Sequence, residues 1–219
     1  KVFMQSQTSI LLNKANLPSL PAGIQRPAYD VENVQTGIVH IGVGGFHRAH
    51  EAMYVDRLMA KTGDLSWGIC GVGLRENDRA MKKVFDEQDN LYTLVEKHND
   101  GSRVASVIGA MTGFMMATDN PQAVIDKMSE PEVRIVSLTI TEGGYNFDAS
   151  TGEFITTNPD VIHDIENPKN PKLVFGYLVA AINKRKENNV KPFKKGLIKA
   201  GAESGLSMQE ISKSELAKS

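Results

Sequence analysis

The feature that most constrains the fold is a glycine-rich turn between a strand and a helix. Residues 37–45 read GIVHIGVGG, in which a β-branched apolar run, typical of a strand buried on both faces, ends in glycines. Residues 49–61, AHEAMYVDRLMAK, carry apolar side chains at helical spacing. A strand, a glycine turn and an amphipathic helix in this order are typical of the phosphate-binding unit of a dinucleotide fold.

The residues of this turn suit a diphosphate. Gly42 permits a tight bend, and Gly44 lets backbone amides approach the diphosphate at the helix N-terminus. Arg48 adds a cation. His47 occupies the place of the third glycine in the common G-x-G-x-x-G pattern, so the helix cannot approach the strand as closely as usual. On these residues alone cofactor binding is favoured, and an ordinary tight turn is the alternative.

A second strand–helix unit follows the first. Residues 67–74, WGICGVGL, read as a strand and residues 76–89 as a helix, which predicts a parallel sheet with right-handed crossovers. A carboxylate at the end of this strand, Glu76 or Asp78, is placed to bind the adenosine ribose and to repel a 2′-phosphate, which favours NAD. Arg75 suits a 2′-phosphate, so NADP is the alternative.

The rest of the pattern extends this α/β sheet. Residues 91–111 predict a hairpin inserted in, or added to, the parallel sheet. Residues 134–140, RIVSLTI, read as a strand that ends in TEGGY, and ligands of open α/β sheets bind beyond such strand ends. The predicted fold class is therefore α/β, a Rossmann-type doubly wound, mostly parallel sheet with inserted hairpins. The remaining predicted elements are a helix over 121–128, a hairpin over 147–155 and a helix over 172–187.

Composition excludes several classes of function. The 25 Lys and Arg balance 26 Asp and Glu, so no global charge attracts nucleic acid or an anionic membrane. The single cysteine, Cys70, can form no internal disulfide, and no Cys-x-x-Cys pair offers a structural zinc site. The apolar run 10–12 is too short for a signal-peptide core or a membrane span. We expect a cytoplasmic protein with no nucleic-acid and no membrane partner.

The composition also divides the chain into three parts. Residues 1–36, with prolines that prevent a long helix, are predicted to be an arm laid over a domain. Residues 37–193 are the predicted NAD-binding domain, and residues 194–219 a divergent basic tail. From residue 184 onward, nine Lys and Arg outnumber four Asp and Glu. A capped helix predicted at Ser207 makes nucleic-acid or partner binding a weaker alternative for the tail.

With these motifs in place, the chain resembles the polyol-specific long-chain dehydrogenase family over residues 5–193. The family's cofactor turn reads G-x-G-G-F-H-R, so His47 is a mark of the family. The segments that carry the resemblance are 37–50, 67–81, 91–97 and 135–146. It implies a metal-free, NAD-dependent oxidoreductase of the mannitol dehydrogenase type, a monomer that interconverts mannitol and fructose by hydride transfer at C2. A fructuronate or tagaturonate reductase is the alternative within the family.

The resemblance also implies which residues form the site. Those expected to bind the cofactor are Ile41, Gly42, Val43, Gly44, Gly45, Phe46, His47, Arg48, Glu76, Asp78 and Thr141. Glu142, expected near the nicotinamide, is the candidate catalytic residue, with a proton-relay role; a solvated loop carboxylate is the alternative. His47, His50 and Glu51 lack a further set of ligands, so no metal is expected.

The chain departs from the family beyond Phe193. The family's oxyanion-binding asparagine and the helical domain that supplies its catalytic lysine, second asparagine and histidine are not found, because no asparagine follows Asn189 and no histidine follows His163. The lysines at 194, 195 and 199 lie in a polar tail and receive no catalytic role. We expect the cofactor-binding half of a dehydrogenase, with the carboxy-terminal helical domain absent; an NAD-binding module without activity is the alternative function.

Overall fold

The computed structural model describes residues 10–191 and residue 193, and a four-stranded parallel sheet lies at its centre. This sheet has the order β6-β3-β2-β7, so its strands run third, second, first, fourth along the chain. The strands of the described residues are β1 (Ile24–Gln25), β2 (Thr36–Ile41), β3 (Gly68–Gly73), β4 (Tyr92–Lys97), β5 (Arg103–Ile108), β6 (Met111–Met116) and β7 (Ile135–Leu138). The order reverses between β2 and β7, which makes a topological switch point of the Rossmann type.

Helices cover both faces of this sheet, which confirms the doubly wound prediction. The described α-helices are α1 (Gly45–Ala49), α2 (Glu51–Thr62), α3 (Arg79–Glu87), α4 (Pro121–Ser129), α5 (Pro159–Glu166) and α6 (Val174–Glu187). On one face, Ile38 and Ile69 pack with side chains of α2 and α3, among them Met59 and Phe85. On the other face, a second core cluster joins β2 and β3 to α4 and α6. Adjacent side chains of each central strand therefore enter two different cores.

The predicted hairpin forms a sheet of its own instead of joining the parallel sheet. Strands β4 and β5 pair antiparallel, and β1 of the N-terminal arm adds to β5 in parallel, giving the order β1-β5-β4. Only Gly109 and Ala110 separate β5 from β6, so the chain passes directly from one sheet to the other. A Cβ at Gly109 would meet Val31 at 2.7 Å and Pro27 at 2.9 Å, because the arm packs on this corner.

The segment after β7 is less regular than the sequence predicts. The second predicted hairpin reduces to a single bridge between Phe147 and Phe154 around a turn held by Asp148. The sequence did not predict α5, although Asn158 caps it by accepting a hydrogen bond from the Asp160 N–H. The predicted tail at 194–219 lies outside the described residues. Within the part of the chain that is described, no helix is long and apolar enough to cross a membrane.

Candidate functional site

The glycine-rich turn lies at the switch point between β2 and β7. Gly42 adopts a φ of 95°, in the left-handed region that favours glycine. A Cβ there would lie 2.3 Å from the carbonyl oxygen of Thr139, which directly follows β7. Two constraints therefore require glycine at position 42: the backbone conformation and the close approach of the neighbouring strand.

Beyond Gly42 the turn opens into a cradle lined by backbone. A Cβ added at Gly44 or Gly45 would meet nothing within 4 Å, and both residues are exposed. Among the backbone hydrogen bonds of the described residues, the N–H groups of Val43, Gly45 and Phe46 form none. Free amides around an open concavity are a common binding site for phosphate. The residues at this turn thus fit the diphosphate of a dinucleotide.

The helix after this turn is short and interrupted. Helix α1 has five residues. His50, with φ −124° and ψ −84°, is not helical and separates α1 from α2, which begins at Glu51. So short a helix contributes little through its dipole. The fit to a diphosphate therefore depends on individual N–H groups and on space. The guanidinium of Arg48 lies against α3, where its Nη1 contacts the Met81 sulfur at 3.0 Å.

The side chain of His47 lies beneath the turn. His47 has no exposed surface, and its ring stacks on the ring of His40 with centroids 3.7 Å apart and an interplanar angle of 15°. An imidazole pair thus fills the space that a third glycine would leave between helix and strand. The residue supports the turn from inside, as does Ile41, which is also fully buried.

A polar network continues from this histidine pair. The Glu51 carboxylate lies 2.9 Å from His40 Nδ1 and accepts a 2.7 Å hydrogen bond from the Ser137 hydroxyl. His47 Nδ1 lies 3.5 Å from the same carboxylate, an electrostatic contact that is too long for a normal hydrogen bond. The network joins α2, β2 and β7 directly under the glycine turn.

The network sets the charges of its members. Burial raises the pKa of Glu51, but the hydrogen bonds from His40 and Ser137 and the nearby His47 imidazole outweigh burial, so the pKa of this carboxyl lies well below its usual range. Burial lowers the pKa of His47, and the neighbouring carboxylate opposes this only in part. Glu51 is therefore a carboxylate and His47 a neutral imidazole at pH 7.

The same residues bring metal-ligand atoms together. His40, His47 and Glu51 place their ligand atoms within 4.8 Å of one another. However, the two imidazole rings are stacked nearly parallel, and an imidazole lone pair points along its own ring plane. A single ion therefore cannot lie in both ring planes unless one of the two rings rotates. The geometry suits a hydrogen-bonded network better than a metal centre.

The predicted ribose-binding carboxylates lie beyond the end of β3 and differ in their contacts. Asp78 accepts a hydrogen bond from the Arg75 N–H at 3.0 Å, and its Cβ lies where a side chain at Gly73 would be. Glu76 is exposed and paired with Arg79, whose guanidinium also reaches Asp119 at 2.7 Å. Asp78 therefore shapes the turn, while Glu76 presents a carboxylate to solvent.

The TEGGY segment follows β7 on the other side of the switch point. Thr141 and Glu142 are exposed, and Glu142 begins a 3₁₀ turn, Glu142–Tyr145. The Glu142 side chain makes no hydrogen bond or ion pair with any other described residue. Asn146 closes the segment: it is buried, has a φ of 54°, and its amide donates to the Ile155 carbonyl.

Sequence reasoning missed the network beneath the turn. It assigned no role to His40, Ser137 or Thr139, and it considered Glu51 only as a metal ligand. One signal was available in the sequence, the spacing of polar residues within apolar segments. His40 interrupts the apolar run 38–41, and Ser137 and Thr139 lie two residues apart in the apolar run 134–140. Side chains two apart on a strand face the same side. Only the pairing of β2 with β7 shows that these polar positions face one another.

Comparison with known proteins gives a family and close relatives. The family model of the mannitol dehydrogenase Rossmann domain matches residues 36–195. A mannitol 2-dehydrogenase from Pyricularia oryzae is 48% identical over 172 residues, which cover 78% of this chain and 34% of that protein. A polyol:NADP oxidoreductase from Gluconobacter oxydans is 44% identical, with 84% of this chain and 38% of that protein covered.

Solved structures agree with these relatives. A ternary complex of Pseudomonas fluorescens mannitol 2-dehydrogenase with NAD and D-mannitol superposes with a TM-score of 0.80 at 47% identity, covering 83% of this chain and 37% of that one. A substrate-free D-sorbitol dehydrogenase gives a TM-score of 0.80 at 40% identity, covering 84% of this chain and 38% of the other. The chain thus spans little more than a third of the length of its relatives.

Proposed function

Because the chain belongs to the mannitol dehydrogenase family, we propose that it is the dinucleotide-binding part of an NAD-dependent polyol oxidoreductase. The reaction we propose for the protein is the interconversion of a polyol such as mannitol and a ketose such as fructose, by hydride transfer between C2 of the sugar and the nicotinamide. A relative of known structure binds NAD and D-mannitol together, which supports both the cofactor and the substrate class.

The observation that carries this proposal is the glycine cradle at the switch point. Gly42 is held against β7 where no side chain fits, and the free N–H groups of Gly45 and Phe46 border open space. The diphosphate of a dinucleotide needs hydrogen-bond donors on a surface without side chains. The position between β2 and β7 matches the place where doubly wound sheets bind such ligands.

Other residues of the chain receive roles around this cradle. Glu76 binds the adenosine ribose hydroxyls from the end of β3, and Asp78 holds the turn that presents it. Thr141 and Glu142, past the end of β7, border the nicotinamide side. Glu142 is exposed there, free to exchange a proton with substrate or solvent. We propose it as a proton relay.

The choice of NAD over NADP rests on Glu76. Its carboxylate would repel the extra phosphate of NADP, and it is exposed where the ribose would lie. The relative from Gluconobacter oxydans is an NADP enzyme, so cofactor choice varies among similar chains. We further propose that the protein acts as a monomer, which light scattering tests.

The first experiment tests the cradle with two matched substitutions. Neither Gly44 nor Gly23 has an atom within 4 Å of its ideal Cβ or a positive φ, so the fold has room at both positions for the first atom of a side chain. Gly44→Val fills the cradle, and we expect its dissociation constant for NADH, measured by cofactor fluorescence, to be at least tenfold higher than that of the wild type. Gly23→Val, in the N-terminal arm, should bind NADH normally. A wild-type protein without any NADH response contradicts the proposed function.

The second experiment separates catalysis from binding. NADH oxidation that depends on fructose supports the polyol reaction for this chain. NADH binding without fructose-dependent oxidation supports instead a cofactor-binding module that needs further chain for its chemistry. Oxidation that appears with fructuronate but not with fructose identifies the uronate branch of the family.

A further inference from the structure

Thr139, the residue directly after β7, is a polar residue that contacts the glycine turn. Its hydroxyl donates a 2.8 Å hydrogen bond to the carbonyl oxygen of Gly42. The same carbonyl accepts the N–H of Gly44 at 2.8 Å and lies 3.3 Å from His40 Nε2. Two donors, the Thr139 hydroxyl and the Gly44 N–H, therefore hold one carbonyl oxygen at the base of the cradle.

The fixed carbonyl determines the direction of the next N–H. In a trans, planar peptide the C=O of Gly42 and the N–H of Val43 point in opposite directions. Because the carbonyl points toward Thr139, the Val43 N–H points away from it. This N–H is one of the free amides of the turn. The hydroxyl of Thr139 thus orients an amide that it does not touch.

Thr139 is itself held by the buried network. Its Oγ1 lies 3.0 Å from His40 Nε2, while His40 Nδ1 contacts Ser137 at 2.8 Å and Glu51 at 2.9 Å. A carboxylate only accepts hydrogen bonds, so His40 donates one from Nδ1 to Glu51. The imidazole orientation is then fixed, and its Nε2 faces Thr139 and the turn.

Resting on the proposed function, we propose that Thr139 is a positioning residue for the dinucleotide, which aligns the amides of the glycine turn with the diphosphate through the Gly42 carbonyl, and that Glu51 acts through His40 to hold it there. The contribution is specific to the diphosphate. A ligand without phosphates gains nothing from the alignment of these amides.

The test is the nearly isosteric variant Thr139→Val, which removes the donor and keeps the shape. We expect its dissociation constants for NADH and ADP-ribose to rise about tenfold, the effect of losing one such hydrogen bond. Its affinity for adenosine, measured by competition, should stay at the wild-type value. Thr139→Ser restores the hydroxyl and should restore NADH binding. Thr93→Val, at an exposed position of β4, is the matched control.

A second variant tests the deeper part of the network. Glu51→Gln should raise the dissociation constants for NADH and ADP-ribose and leave the affinity for adenosine unchanged. Glu87→Gln, at an exposed site on α3, should leave the affinities for all three ligands unchanged.

Three results would overturn the inference. The first is NADH binding by Thr139→Val at the wild-type level, which leaves the proposed function intact. The second is an equal loss of adenosine and NADH, which marks a general structural role. The third is the absence of NADH binding by the wild type, which removes the proposed function as well.

Discussion

At the residue scale, single positions in this chain have separable tasks. Gly42 is required by conformation and by the approach of Thr139, whereas Gly44 and Gly45 are surrounded by open space. The sequence presents all three as one motif. Their environments tie the first to the fold of the turn and leave the space around the other two open for the proposed ligand.

Glu76 carries a prediction about cofactor choice. Replacement by Gln removes the negative charge beside the proposed ribose site, so the affinity for NADPH relative to NADH should rise roughly fivefold, about the effect of one solvent-exposed charge pair. Fluorescence titrations with both cofactors measure the ratio. Glu87→Gln serves as the control because it changes the same charge at a distant exposed site on α3. An unchanged ratio in Glu76→Gln assigns cofactor choice to another residue.

At the element scale, the N-terminal arm is fixed to the sheets by a buried carboxylate. Asp56 of α2 accepts a 2.5 Å hydrogen bond from the Tyr29 hydroxyl and a 2.8 Å bond from the Gly109 N–H. Burial raises the pKa of Asp56, and these hydrogen bonds oppose the increase. Arm, helix and the corner between the two sheets therefore meet at one side chain.

Tyr29→Phe tests this connection. The variant keeps the ring and removes one of the two donors to a buried carboxylate, so it should lower the free energy of unfolding by about 1–2 kcal/mol. Urea unfolding measures the change. Tyr54→Phe, at an exposed position of α2, should stay within about 0.5 kcal/mol of the wild type. Equal stabilities of the two variants would show that the arm is held by apolar packing alone.

At the scale of the whole molecule, the buried network under the turn makes stability depend on pH. The pKa of His47 is lowered by burial from 6.5, so the unfolded chain binds this proton first as the pH falls. The pKa of Glu51 is lowered from 4.5 by its hydrogen bonds, in spite of burial. Both groups therefore bind protons more readily in the unfolded chain, so the stability of the fold decreases in acid.

Chemical unfolding at pH 7, 5.5 and 4 checks the sign. Stability should fall below about pH 6.5 through His47 and again below about pH 4.5 through Glu51, by at most about 1.4 kcal/mol per pH unit for each group. In Glu51→Gln the decrease between pH 5 and 4 should be smaller than in the wild type or in Glu87→Gln. An equal decrease in all three proteins would assign the acid sensitivity to other carboxylates.

Much of the fold followed from local pattern. The two strand–helix units, the capped helix that begins at Pro121 and the helix up to Glu187 were all predicted, because apolar periodicity and turn residues are properties of adjacent positions. The separate sheet was not predicted, because its order depends on β1, a two-residue strand of the arm. Helix α5 was missed although it carries Asn158 at its cap and Pro159 in its first turn.

The sequence by itself determined the Rossmann-type fold, the family and the place of the cradle, since a glycine turn between strand and helix is a local signal. The tertiary structure decided what lies beneath that turn. His40 of β2 lies almost a hundred residues from Ser137 of β7 and from Thr139, which directly follows β7, and Glu51 joins them from a helix. Such contacts exist only after β2 and β7 pair, because strand register, unlike spacing along the chain, sets which side chains face each other.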